Sequence, residues 1–65
     1  MEVFLNGESY QLASAVTLKQ LVDELQLTGK FAIEINNHIV PKSAYADNHL
    51  NTGDIIEIVQ AIGGG

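Results

Sequence analysis

In this 65-residue chain, the residues best suited to chemistry on another molecule are the last six, Gln60-Ala61-Ile62-Gly63-Gly64-Gly65. Glycine has no Cβ and reaches dihedrals closed to other residues, so a glycine run can thread a slot that side chains would block. Fully extended, Ile62 to Gly65 would carry a terminal carboxylate about 13 Å beyond a folded body. With an α-carboxyl pKa of about 3.3–3.7, that group is ionised at neutral pH and is a weak oxygen nucleophile. A plainer reading stands beside this one, because chain ends fray and glycine frays readily.

Other chemistries find less support. The chain has no cysteine, hence no thiolate nucleophile, no disulfide and no cysteine metal site. His38 and His49 lie eleven residues apart on turn segments, without a carboxylate at ligand spacing, and read as surface histidines rather than metal ligands. Ser9, Ser14 and Ser43 have neither a nucleophile elbow nor a triad around them. There is no phosphate-binding loop pattern, so any ATP used with this chain must be held by another protein. Three Lys against eight Asp plus Glu give a formal charge of −5, which repels nucleic acid and anionic membranes and steers toward a partner with a basic face. Met1 runs straight into alternating sequence with no leader-like or membrane-spanning stretch, and a cytoplasmic location is the default expectation.

The elements that would carry such a tail follow from local pattern. Asn6-Gly7 is a preferred hairpin dipeptide, predicting that Leu5 pairs with Glu8, Val3 with Tyr10 and Met1 with Leu12. One face of that hairpin then carries Met1, Val3, Leu5, Tyr10 and Leu12, and Phe4 is the apolar exception on the other. Thr17 with Gln20 three residues on forms a capping box. Leu18, Leu21, Val22 and Leu25 follow at helical spacing, predicting a helix of about ten residues that stops at Gly29. Phe31 to Asn36 alternates as a third strand with Phe31, Ile33 and Ile35 inward. Asn36-Asn37 turns the chain, and His38 to Val40 is a short strand ended by Pro41. The polar stretch Lys42 to Leu50 is expected to hold no more than a helical turn. Asn51-Thr52-Gly53-Asp54 turns into a last strand from Ile55 to about Ala61, with Ile56 and Ile58 inward and Ile55 and Val59 outward. A strand so apolar on both faces belongs at the centre of a sheet or under a partner. The expected organisation is one α+β domain over 1–61, with a flexible tail over 62–65.

A hairpin, a helix, further short strands and a last strand running into Gly-Gly together resemble the β-grasp fold of the ubiquitin-like superfamily, with a mixed sheet of four to five strands on one helix. Met1-Glu2-Val3-Phe4-Leu5 is similar in pattern to the first strand of ubiquitin. More specifically, Ile35-Asn36-Asn37-His38-Ile39-Val40-Pro41-Lys42, Gly53-Asp54-Ile55-Ile56 and Ile62-Gly63-Gly64-Gly65 resemble the ThiS family, sulfur carriers of thiamine biosynthesis. The resemblance implies a non-enzymatic cosubstrate that binds no cofactor itself. A ThiF-like adenylating enzyme would use ATP and magnesium to activate the Gly65 carboxylate. A persulfide donor such as a cysteine desulfurase would then supply sulfur, and thiazole synthase (ThiG-like) would consume the resulting thiocarboxylate. Ile62, Gly63 and Gly64 would be the residues read by the partner's channel. Phe4, Ile55 and Val59 share the outer parity of strands that neighbour one another in such a sheet, and are the expected docking patch. The Gly-Gly end is also found in the molybdopterin-synthase small subunit and in ubiquitin-like protein modifiers, which remain the alternatives. A monomer is expected, since a carrier must visit several partners in turn.

Overall fold

Asn6 and Gly7 take positive φ angles of 49° and 84°, the geometry of a type I′ turn. They fold β1 (Glu2–Leu5) against β2 (Glu8–Gln11) in the computed structural model, which describes residues 1–60. The expected register holds: Val3 faces Tyr10 and Leu5 faces Glu8, and the Leu12 amide donates to the Met1 carbonyl at 2.8 Å. Val3 and Leu12 are buried while Glu2, Phe4, Ser9 and Gln11 are exposed. Alternation therefore sorts this hairpin as predicted.

The helix α1 (Leu18–Leu25) begins at Thr17, whose hydroxyl accepts from the Gln20 amide while the Gln20 side chain accepts from the Thr17 amide. Both halves of the capping box are thus formed. Its end differs from the expectation. The helix is eight residues long, and Gln26, not Gly29, takes the left-handed turn with φ 56°. The Gln26 amide bonds the Asp23 carbonyl at 3.1 Å and the Leu27 amide bonds the Val22 carbonyl at 3.3 Å, the paired closure of a Schellman end. The reason is Leu27. At about 100° per residue, a continuing helix would place it opposite Leu18 on the solvent side, whereas the early turn leaves it half-buried. Gly29, with φ 76°, serves the following turn instead.

Strands β3 (Phe31–Ile35) and β4 (His38–Val40) form a second hairpin through Asn36 and Asn37, both at positive φ. The stretch after Pro41 is more ordered than its polarity suggested. It forms a 3-10 helix over Lys42–Asp47, about two turns at three residues per turn. That helix buries Tyr45, whose ring stacks on Phe31 with centroids 6.3 Å apart. Beyond it, Asn48 accepts from the Leu18 amide, and Leu50 is buried with its amide on the Val16 carbonyl. This tie anchors the segment to the start of α1.

The final strand β5 (Ile55–Gln60) runs parallel to β1 and antiparallel to β3. The sheet order is β2-β1-β5-β3-β4, so β5 is central, as its two apolar faces implied. This mixed five-stranded sheet with one helix is the β-grasp arrangement. The core gathers Val3, Leu18, Leu21, Ile33 and Ile56, all essentially inaccessible to solvent. No helix among the described residues is long and apolar enough to cross a membrane.

Candidate docking face and tail root

Two asparagines in turns fix where β5 lies. Asn6 closes the β1–β2 hairpin, and its side chain reaches across to β5: the Ile58 amide donates to its Oδ1 at 2.8 Å, while its Nδ2 donates to the Ile58 carbonyl at 3.3 Å. The parallel β1–β5 ladder is short, with Phe4 beside Ile55 and Leu5 beside Ile56. The Asn6 side chain continues it where the β1 backbone has turned away. On the other flank, the Ile55 amide donates to Asn36 Oδ1 at 3.0 Å, and Asn36 Nδ2 donates to Asp54 at 3.1 Å. Polar groups at both flanks of the strand are thereby satisfied.

This placement composes the outer face of the sheet. Phe4 and Ile55 are direct cross-strand neighbours, 39% and 52% exposed. Val59, 65% exposed, lies four residues further along the same face, opposite Ala32. Glu57 stands between them, directly opposite Glu34 of β3. The three residues expected as a docking patch therefore share one face, but Val59 is separated from the other two by a carboxylate. Ile39 of β4, beside Glu34 and 73% exposed, also belongs to this face. Its parity, opposite to that of Val40 in so short a strand, is the only sequence signal for this position. Among the described residues no cation lies within salt-bridge distance of Glu34 or Glu57.

The tail-end candidates Ile62, Gly63, Gly64 and Gly65 lie outside the described residues, as does the expected domain boundary at 61. The last described residue, Gln60, pairs with Phe31 at the start of β3, so the described part of β5 ends beside the Phe31–Tyr45 stack. His38 sits at the start of β4 opposite Ile35, and His49 forms a bridge to Thr17. Two phenols are held protonated beyond their usual range. Tyr10 donates to Glu24 at 2.6 Å, a bond that ionisation would break, and this raises its pKa, with desolvation and the Glu24 charge adding to the effect. Burial raises that of Tyr45.

The sequence model of the ThiS family matches residues 3–65. This chain belongs to the ThiS family. The family is named for the sulfur carrier of thiamine biosynthesis, and the Escherichia coli sulfur carrier protein ThiS is 33% identical to this chain, each covered over its full length. A thiazole synthase of Paramagnetospirillum magneticum is 44% identical across the whole chain, which spans 20% of that protein. One of Magnetococcus marinus is 36% identical over the same share. In solved structures, the thiamine biosynthesis protein ThiS of Geobacter metallireducens superposes over the full length of both chains with a TM-score of 0.85 at 22% identity. That likeness concerns the β-grasp fold.

Proposed function

We propose that this chain is a sulfur carrier whose Gly65 carboxylate is converted to a thiocarboxylate for thiazole formation in thiamine biosynthesis. The observation that carries the reading is the family match over residues 3–65, which takes in the Gly-Gly end, together with the end-to-end match to a sulfur carrier. A carboxylate is a poor acyl donor because oxide is a poor leaving group. A ThiF-like adenylating enzyme, with ATP and magnesium, would therefore join the Gly65 carboxylate oxygen to the α-phosphorus and release pyrophosphate. The terminal sulfur of a donor persulfide, such as that of a cysteine desulfurase, then attacks the acyl carbon and AMP leaves. Reductive cleavage of the resulting acyl disulfide by a thiol frees the thiocarboxylate.

Thiazole synthase is the proposed sulfur acceptor. The support is that sequence like this chain forms a fifth of two thiazole synthases, one 44% and the other 36% identical to it. Ile62, Gly63 and Gly64 would occupy the channel leading to the adenylation site, where a Cβ on Gly64 or Gly65 would meet its walls. Phe4, Ile55 and Val59 would rest on the partner surface around that channel, and their exposure on one face favours this role.

The test is intact-protein mass spectrometry after incubation with the adenylating enzyme, ATP, magnesium and a persulfide donor. One oxygen replaced by sulfur at Gly65 is the expected mass change, absent in Gly65→Val while that variant keeps its fold. Unchanged wild-type mass, with an adenylating enzyme shown to be active on another carrier, would overturn the reading.

A further inference from the structure

This acidic chain reverses polarity in one place. Its three cationic side chains, Lys19, Lys30 and Lys42, come from the helix, the loop before β3 and the start of the 3-10 segment, yet all line clefts that meet at Phe31. Lys19 is already paired with Asp23 at 2.9 Å. Lys30 and Lys42 have no carboxylate within ion-pair distance among the described residues. They line a groove of about 480 Å³ floored by Phe31 and Tyr45 and walled by Pro41. No Asp or Glu lines it, although the chain holds eight.

Tyr45 adds a second, independent feature. Only 6% of the residue is accessible, and its hydroxyl has no hydrogen-bond partner among the described residues, yet that oxygen is not sealed from solvent. Open to solvent, the hydroxyl is free to donate to a group that enters the cleft. The groove also continues, through Lys30, Phe31 and Ala32, to Val59 and Gln60, the last described residues of β5.

We propose that this groove takes an acidic peptide segment with an apolar anchor, presented by the protein that receives the tail. The carboxylates of the segment meet Lys30 and Lys42, one of them accepts from the Tyr45 hydroxyl, and an apolar side chain rests on Phe31 and Pro41. The floor is apolar and the cations sit on flexible stems, which suits a side chain between charges better than a compact phosphate. The contact orients the carrier, because an acidic segment that met the glutamates of the outer sheet face instead would face like charge. It does not depend on sulfur loading, so it can hold or fail separately from the carrier reading.

The experiment is an amide chemical-shift titration of the isotope-labelled chain with the capped peptide Asp-Glu-Leu-Asp-Glu. Saturable shifts at Lys30, Phe31, Lys42 and Tyr45, reduced by added salt, are expected. Lys42→Glu should weaken binding about tenfold, as reversal of a facing charge predicts. Tyr45→Phe, which keeps the ring stack, should weaken it several-fold. No saturable shift at millimolar peptide would overturn the proposal. So would equal binding of Lys-Lys-Leu-Lys-Lys, shifts confined to the outer sheet face, or inorganic phosphate moving the same amides as strongly.

Discussion

Asn6 does two things that its sequence neighbourhood advertises unequally. Its positive φ in an Asn-Gly turn is legible from the dipeptide, but its two bonds to Ile58, 52 residues away, are not. Asn6→Ala keeps the chain length, loses both bonds and puts alanine, which lacks the polar side chain that eases asparagine into the left-handed region, at φ 49°. A loss of about 1–3 kcal/mol is expected, read as a lower urea midpoint at unchanged slope. A variant as stable as the parent would mean that water replaces the amide at no cost. The tyrosines give a second test. With Tyr10 bound to Glu24 and Tyr45 buried, both should ionise above the ordinary value near 10 in ultraviolet titration of the folded chain, and return to it in denaturant. Because the folded-state values are the raised ones, the stability they confer is complete below the unfolded value and is lost as pH rises through the folded ones. Titration at the ordinary value in the folded chain would remove the Tyr10–Glu24 bond from solution.

Among the elements, the helix start and the hairpins were readable because capping boxes and two-residue turns are local chemistry, complete within a few residues. The helix end was not. Gly29 advertised a stop, but the helix closes at Leu25, where the left-handed Gln26 leaves Leu27 half-buried. The 3-10 segment is hard to read for a similar reason: Tyr45 stands between two alanines in a largely polar stretch, and its burial depends on distant partners such as Phe31. The β3–β5 pairing sets Glu34 against Glu57, and like charges directly opposite one another destabilise a sheet. Glu57→Gln should therefore stabilise the chain by about 0.2–1 kcal/mol at low salt, with the gain shrinking as salt screens the repulsion. Paired thermal melts at two salt concentrations measure this. A gain that persists in high salt would point to something other than charge.

At the scale of the whole molecule, the outer sheet face and Gln60 both belong to the central strand, so under the proposed carrier reading docking would be coupled to delivery of the tail. Replacing Phe4 and Ile55 together by serine removes exposed apolar contact without touching the core. Affinity for the adenylating enzyme should fall about tenfold or more, with an unchanged circular dichroism spectrum. Binding as tight as the parent's would take these residues out of the interface. The sequence by itself determined the turns, the strand parities, the helix cap, the inward stripe and the family, because each is written in a few adjacent residues or in a motif. Its alternation also placed Phe4, Ile55 and Val59 on outer faces. Only the tertiary structure decided that Phe4 meets Ile55 while Glu57 separates Val59 from both, that Ile39 joins the same face, and that the two glutamates oppose one another. It also gathered Lys19, Lys30 and Lys42 around one aromatic pair. The physical reason is that periodicity says which side of a strand a residue faces, whereas its neighbours there depend on strand order and register, which are set by contacts between distant segments.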